Sequence, residues 1–257
     1  MKIIPDPVAF HIGSWPIYWY GILIALAILL GTILVVRETE RQGLNQDHVL
    51  NVILAAIPAA FLGARLYYVI FNWPYYSRFP REILAIWHGG LAIHGGLIGG
   101  FLAAFFLLKK YRINFWQAAD IAAPSIILGQ ALGRWGNFFN QEAYGYEVDP
   151  STLPWAMYID GAYRHPTFLY ESLWNLGVFF FLLWLRRRKG LPRGDVFLSY
   201  VVLYSVGRFF IEGLRTDSLM LTANLRVAQV VSVIAIGIGL ILILYRHKKK
   251  RRDETVS

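Results

Sequence analysis

Residues 18–36 read YWYGILIALAILLGTILVV, a stretch of nineteen residues without a charge. An α-helix rises about 1.5 Å per residue, so this stretch covers most of the roughly 30 Å hydrocarbon core of a bilayer. Similar apolar stretches recur along the chain, each bounded by charges, prolines or aromatic residues. The pattern predicts an all-α integral membrane protein.

Seven such stretches are predicted to be transmembrane helices. They cover approximately residues 18–36, 49–71, 88–108, 116–133, 168–185, 195–213 and 226–245. We expect one polytopic membrane domain over residues 1–257, with a small extracytoplasmic head formed by its longest connection, residues 134–167. The stretch before the first span lacks the basic region and small-residue cleavage site of a signal peptide, so we expect this helix to be retained.

The composition excludes several classes of protein. Hydrophobic residues make up 56% of the chain and charged residues 16%, which is too apolar for a soluble globule of 257 residues. The chain has no cysteine, which excludes disulfides, thiolate metal sites and a cysteine nucleophile on the protein itself. Any thiol chemistry therefore uses a thiol of the substrate. No metal or nucleotide motif is present, and we expect no cofactor.

The distribution of positive charge predicts the orientation. The formal net charge is +9, and 16 of the 25 Lys and Arg residues fall on the side of the carboxyl terminus, against seven on the other side. By the positive-inside rule, the carboxyl terminus is cytoplasmic and the amino terminus lies outside. The basic run from Arg246 to Arg252 is interpreted as a topology anchor beside anionic lipid, and no nucleic-acid partner is expected.

The sixth predicted span carries a polar stripe. Tyr204, Arg208, Glu212 and Arg215 fall within roughly an 80° arc of a helix. An internal salt bridge is one explanation, because Arg208 and Glu212 are i,i+4 neighbours. Two arginines against one carboxylate, however, leave a surplus positive charge, which favours a planar anion such as the phosphate of a lipid headgroup.

The third predicted span contains two H-G-G elements, at His88 and at His94. His94 is predicted to lie about 9 Å below the outer boundary of the membrane. It is interpreted either as an interhelical hydrogen-bonding group or as a base for a thiol or hydroxyl near neutral pH. The surrounding glycines favour close helix packing, and Arg65 and Asp120 are interpreted as structural partners.

Residues 133–145, GRWGNFFNQEAYG, follow the fourth predicted span. The aromatic residues are typical of a membrane boundary, but this explanation does not cover Arg134, Asn137, Asn140 and Glu142, which we interpret as a polar site. With alternating spans, one set of polar residues is predicted in the outer half of the bilayer. This set is Tyr20, His94, Arg134, Asn137, Glu171, Arg208 and Glu212. Its convergence favours a site for a polar headgroup from the outer leaflet.

At these residues the chain resembles the prolipoprotein diacylglyceryl transferase family. Residues 133–145 match every fixed position of the family signature G-R-x-G-N-F-x-N-x-E-x-x-G. The resemblance extends nearly from end to end. Its other elements are residues 17–21, 63–66, 94–96, 165–166, 170–171 and 204–215. Between the two H-G-G elements, His94 is chosen because Leu97-Ile98-Gly99 follows it, as in the family.

The resemblance implies transfer of a diacylglyceryl group from phosphatidylglycerol to the lipobox cysteine of exported prolipoproteins. The implied partners are phosphatidylglycerol, lipobox-containing signal peptides and membrane lipids, and the implied location is the bacterial cytoplasmic membrane, with the active site toward its extracytoplasmic half. The implied catalytic residues are His94, Arg134 and Arg208. The implied substrate-binding residues are Arg134, Tyr20, Asn137, Asn140, Glu142, Gly145, Glu171, Tyr204, Glu212 and Arg215.

Two other functions are compatible with a polar cavity in the outer leaflet. A phospholipid transporter or flippase needs polar groups that continue to the inner leaflet, whereas most such groups here lie in the outer half. An inactive lipid-binding scaffold with the same fold is the other alternative.

Overall fold

The computed structural model describes residues 5–222 and 225–256. Residues 1–4, 223–224 and 257, which the predicted domain includes, lie outside the described residues. The described α-helices are α1 Trp19–Arg41, α2 Gln46–Phe71, α3 Trp73–Tyr76, α4 Ile93–Lys110, α5 Phe115–Asn140, α6 Thr167–Leu185, α7 Asp195–Glu212 and α8 Val227–Val256. The described strands form three antiparallel pairs: β1 Val8–Ile12 with β2 Trp15–Tyr18, β3 Met157–Ile159 with β4 Ala162–Arg164, and β5 Met220–Thr222 with β6 Leu225–Arg226. Two 3-10 helices, Pro80–Leu84 and Ile86–His88, lie between α3 and α4.

Five helices are long and apolar enough to cross a membrane. They are α1, α2, α4, α6 and residues Val227–Lys250 of α8. Most residues in these stretches are not buried within the protein, as expected for helices that lipid tails surround. The chain is therefore a mainly helical, multi-pass membrane protein, which confirms the predicted class.

The fourth and sixth predicted spans form α5 and α7, which are not among these five helices. Helix α7 carries Asp195, Arg208 and Glu212, and α5 carries Asp120 and Arg134. Charged side chains are costly in the bilayer core and need partners within the protein. The set of seven spans stays a prediction.

Helix α4 begins at Ile93, later than the sequence predicted. Residues Ile86–His88 form a 3-10 turn, and Gly89 and Gly90 follow with φ values of 82° and 76°. Glycine adopts these positive angles readily, and they interrupt the helix. His88 and His94 therefore do not share a helix, contrary to the sequence interpretation, and His94 lies in the first turn of α4.

The chain divides into two compact units, residues 1–35 with 119–257, and residues 36–118. The core of the first unit lies between α5, α6 and α7, where Ile127 and Leu182 are fully buried. In this unit, the Asp120 carboxylate accepts hydrogen bonds from the backbone N–H groups of Gly194 and Phe197, the latter at 2.8 Å. Because the first N–H groups of a helix lack intrahelical partners, Asp120 caps α7. This agrees with the structural role expected for Asp120.

In the second unit, α2 and α4 pack backbone against backbone. A Cβ atom at Gly63 would lie 2.4 Å from the carbonyl oxygen of Gly95, and one at Gly95 would lie 2.2 Å from that of Gly63. A Cβ atom at Gly99 would lie 2.3 Å from the carbonyl oxygen of Ala59. Small residues allow this approach in membrane helices, and the packing role predicted for the glycines agrees with the structure.

Replacement of Gly95 by alanine is expected to lower the thermal stability of the protein in detergent. The new methyl group requires α2 and α4 to separate, and overpacking typically costs about 1–3 kcal/mol. Gly237→Ala in α8 is the matched control, since a Cβ atom there would have no neighbour within 4 Å outside its own helix backbone. Thermal unfolding of both variants measures the effect. Equal midpoints would contradict the packing argument.

Candidate functional site

The last two turns of α5 carry polar side chains that contact one another. Arg134 Nη1 donates a hydrogen bond to Asn137 Oδ1 at 3.3 Å. Asn137 Nδ2 and Asn140 Nδ2 both donate to Glu142 Oε1, at 2.9 and 3.3 Å. The helix continues through Asn140, although the sequence assigned residues 134–140 to the head. It ends where Gln141 adopts a φ of 49°, a left-handed conformation that cannot continue a right-handed helix.

Glu171, near the start of α6, lies at the centre of the site. Its side chain is 4% exposed, and Oε2 lies 2.7 Å from Nη2 of Arg134. Oε1 lies 3.4 Å from Nη1 of Arg208 and 3.3 Å from Nη1 of Arg215. Three arginines that are distant in sequence from Glu171 therefore meet at one buried carboxylate.

Glu212, the last residue of α7, is a second buried carboxylate. Its Oε2 atom lies 2.6 Å from Nη2 of Arg208 and 3.9 Å from Nε of Arg215. The Arg208–Glu212 salt bridge considered in the sequence analysis is thus present. Arg215 also pairs with Asp217, with 3.0 Å from Nε to Oδ1 and 2.7 Å from Nη2 to Oδ2.

The surplus positive charge expected from the sixth span alone is offset in the structure. Three arginines form ion pairs with three carboxylates among the described residues, because Glu171 and Asp217 join Glu212. The sixth span taken alone contains only one of these three carboxylates, Glu212. Burial lowers the pKa of the Arg215 guanidinium, but Asp217, Glu171 and Glu212 more than offset this effect, and the pKa is raised. Arg215 therefore remains charged.

The guanidinium groups of Arg134 and Arg208 are more accessible than the two buried carboxylates that contact them. The side chains of Arg134 and Arg208 are 21% and 20% exposed, whereas those of Glu171 and Glu212 are 4% and 2% exposed. The carboxylates hold the two guanidinium groups from the buried side. Guanidinium groups bind phosphate oxygens through charge-assisted hydrogen bonds, often in pairs. The arrangement can therefore bind an anionic headgroup despite its balanced charge.

Gly145 brings the chain after α5 back to the site. Its N–H group donates to the carbonyl oxygen of His165 at 3.1 Å, and its backbone bridges to that of Arg215. A Cβ atom at Gly145 would lie 2.6 Å from the His165 Cβ atom and 2.9 Å from the Leu214 carbonyl oxygen. Only glycine fits this close backbone approach, which places Arg215 beside Glu171.

Two tyrosines predicted at the site pack near its arginines. The ring of Tyr20, at the start of α1, covers Gly136 so closely that a Cβ atom there would lie 2.2 Å from it. Tyr204 lies one helical turn before Arg208 and packs against the hydrophobic core of the first unit. Its ring stacks with that of Tyr200, with the centroids 6.0 Å apart. The positions of both tyrosines follow from packing.

His94 belongs to the second unit. Its side chain is exposed, and its ring centroid lies 6.0 Å from that of Tyr67. His88 is also exposed and pairs through Nδ1 with Glu82 Oε2 at 2.8 Å.

Two residues in or beside the cluster were not predicted from the sequence. Asp217 stands two residues after Arg215, and this short spacing could have indicated the pair. Arg226 donates from Nη1 to the backbone carbonyl of Glu212 and from Nη2 to the Tyr146 hydroxyl, the latter at 2.7 Å. No local pattern indicated Arg226, because these partners are distant from it in sequence.

Fold and site together define an integral membrane protein with an arginine–carboxylate cluster suited to an anionic ligand. The family model for prolipoprotein diacylglyceryl transferase matches residues 7–245. The chain belongs to this family.

Curated relatives match the chain over nearly its whole length. Phosphatidylglycerol--prolipoprotein diacylglyceryl transferase from Bacillus licheniformis is 55% identical over 255 residues, which cover 96% of this chain and 94% of the relative. The protein of the same name from Geobacillus kaustophilus is 55% identical and covers 90% of this chain and 88% of its own length. A protein of the same name from Bacillus cereus is 51% identical over 98% of this chain and 96% of its own length.

Proposed function

We propose that this protein transfers the diacylglyceryl group of phosphatidylglycerol to the lipobox cysteine of exported prolipoproteins, the first step of bacterial lipoprotein maturation. The observation that carries the proposal is the pair of partly exposed guanidinium groups of Arg134 and Arg208, held from behind by Glu171. The names of the relatives support this transferase activity. Neither a flippase nor an inactive scaffold is favoured by them.

The reaction forms a thioether and releases glycerol phosphate. The sulfur of the lipobox cysteine attacks the glyceryl carbon that carries the phosphate, and a carbon–sulfur bond forms as the carbon–oxygen bond breaks. The bonding electrons leave with the phosphate oxygen. The thiol proton goes to His94 or to solvent. This reaction needs a thiolate, a stabilised leaving group and alignment of two membrane-bound substrates.

Arg134 and Arg208 bind the phosphate and stabilise the charge that develops on it. Glu171 and Glu212 orient the two guanidinium groups, and Arg215 completes the cluster. Asn137, Asn140 and Glu142 form the polar edge next to Arg134, where they bind the glycerol hydroxyls of the headgroup. Gly145 maintains the backbone geometry, and Tyr20 and Tyr204 line the site.

The proposal includes the placement of the protein in the bacterial cytoplasmic membrane. In this placement the protein is one domain of residues 1–257 with seven spans, and its amino terminus lies outside and its carboxyl terminus in the cytoplasm. Residues 134–167 form a head beside an active site on the extracytoplasmic side. The distribution of Lys and Arg supports this orientation. Because the chain lacks cysteine, Ser151→Cys and Lys189→Cys each introduce one site for an impermeant maleimide, and on intact cells we expect labelling of Ser151→Cys alone. Labelling of Lys189→Cys alone would overturn the orientation.

His94→Gln is expected to lower turnover about 100-fold at pH 7, at the low end for loss of a general base. The loss is modest because a thiol with a pKa near 8.5 is already a few per cent ionised. We expect the loss to shrink as the pH rises toward 9, where more thiolate forms without a base. His88→Gln is the matched control and should retain normal turnover. A constant ratio between wild type and His94→Gln across this pH range would exclude the base role and leave only orientation of the thiol.

The activity itself is tested with purified protein in detergent, phosphatidylglycerol and a lipobox peptide. A parallel reaction uses the same peptide with serine in place of cysteine. Released glycerol phosphate and the mass of the peptide are followed together. Release and a diacylglyceryl mass gain only with the cysteine peptide are expected. Lipid binding without turnover would favour the transporter or scaffold.

A further inference from the structure

Arg65, in α2 of the second unit, is a buried arginine outside the cluster described above. Among the described residues it forms no ion pair with a carboxylate, and its side chain instead contacts backbone carbonyl groups. A guanidinium group has five N–H donors, and five carbonyl oxygens accept from Arg65 at 2.5 to 3.3 Å. They belong to Glu82, Ile83, Ala85, Gly89 and Gly90. One side chain thus holds residues 82–90 of the connection that leads to α4.

Two backbone contacts next to Arg65 continue this attachment toward His94. The carbonyl oxygen of Ala64 accepts a hydrogen bond from the N–H group of Ala92 at 3.0 Å. The backbone of Gly63 touches that of Gly95. Residues 65, 64 and 63 of α2 therefore contact residues 89–90, 92 and 95 in turn. His94 lies between the last two of these contacts.

We propose that Arg65 is a positioning residue for His94: by fixing the carbonyl groups of residues 82–90, it sets the position and direction in which His94 leaves the start of α4. This inference rests on the proposed role of His94 in the transfer reaction. Arg65 itself does not touch the imidazole ring in any contact that the structure shows. It acts through the backbone.

The chemistry of the segment explains why it needs such a group. Gly89 and Gly90 have positive φ angles and no side chains that restrict them. Without Arg65, the carbonyl groups at the buried end of the segment lose their donors, which is costly away from water. A Cβ atom at Gly90 would lie 2.5 Å from Arg65 Nη1, so the glycine also makes room for the guanidinium group. A lysine has only three donors at one point and cannot reach all five acceptors.

A spin label tests the positioning without reference to activity. The chain has no cysteine, so His94→Cys gives one labelling site in the full-length protein. We expect the label to be more mobile when Arg65→Gln is added. Arg81→Gln, an exposed arginine in the same connection, is the control and should leave the mobility unchanged. Equal mobility in all three proteins would overturn the inference.

Kinetics supply the second readout, in proteins that keep His94. Arg65→Gln is expected to lower kcat about 100-fold, the scale of a small misplacement of a reacting group. The KM for phosphatidylglycerol should stay within about threefold, because the phosphate-binding arginines are untouched. The kcat of Arg65→Lys should lie between those of the wild type and Arg65→Gln. Arg65→Lys is the variant to use if Arg65→Gln does not fold. A rise in KM without a fall in kcat would also overturn the inference.

The two experiments separate this inference from the proposed function. If the wild-type protein does not transfer the diacylglyceryl group, the proposed function fails, while the label at position 94 still decides whether Arg65 fixes that position. If transfer occurs and the label does not respond to Arg65→Gln, only the inference fails.

Discussion

Turnover of the Arg134→Ala variant is expected to fall about 100- to 1,000-fold, the usual effect of removing one electrostatic donor from a developing anion. The guanidinium group is 21% exposed while its partner Glu171 is 4% exposed. The accessible charge is therefore that of the arginine, and its loss leaves the leaving phosphate with Arg208 alone. Release of glycerol phosphate from phosphatidylglycerol, with the lipobox peptide at saturation, measures the effect.

Further variants separate the phosphate contact from the overall charge. Arg134→Lys retains the positive charge but loses the two parallel N–H groups, and we expect it to recover only part of the activity. Arg208→Ala should lower turnover about as much as Arg134→Ala. The fold-loss of turnover in the double variant should be smaller than the product of the two single fold-losses, because both groups act on one phosphate. Arg193→Ala, an exposed arginine before α7, is the control. Normal turnover in Arg134→Lys would contradict paired binding of the phosphate.

Glu171→Ala is expected to destabilise the protein by about 3–5 kcal/mol, the cost of removing one partner from a buried ion pair. Glu171 contacts Arg134, Arg208 and Arg215. Without it, Glu212 and Asp217 are the remaining counter-charges of three guanidinium groups within the part of the chain that the structure describes. Glu171→Gln keeps the shape of the side chain and one acceptor oxygen but not the charge, so we expect a loss of stability smaller than that of Glu171→Ala. Thermal unfolding in detergent measures both variants.

The connection between α5 and α6 offers an exposed pair of opposite charges for comparison. Glu147 Oε1 lies 2.9 Å from Nη2 of Arg164, but the Glu147 side chain is 67% exposed. Exposed pairs contribute at most about 1 kcal/mol, so Glu147→Ala should have a small effect. Equal decreases of the unfolding midpoint in Glu147→Ala and Glu171→Ala would contradict the claim that burial makes the Glu171 ion pairs more stabilising.

Helical periodicity predicted one part of the site well. It placed Arg208 and Glu212 on the same face of the sixth span, and their atoms lie 2.6 Å apart. Residues 133–145 likewise identified Arg134, Asn137, Asn140 and Glu142 as one polar site, and hydrogen bonds join them. In both cases the structure brings the named residues into contact, because they are neighbours along one stretch of chain, while their role in function stays a prediction.

The sequence interpretation was less accurate where a helix begins. Hydropathy placed residues 88–108 in one span, but Gly89 and Gly90 interrupt it and separate His88 from His94. The average apolar character of a window does not register two glycines with positive φ. Arg65 shows the same limit, because its acceptors are backbone carbonyl groups that every residue type carries.

The sequence by itself determined that the chain is a helical membrane protein and which polar residues are candidates for a function. These properties depend on composition and on spacing along one helix, which do not require knowledge of neighbouring helices. Only the tertiary structure decided that Glu171 holds Arg134, Arg208 and Arg215 together, and that Glu171 and Asp217 offset their charge. Contacts of this kind depend on how helices pack, and packing brings together residues that no local pattern connects.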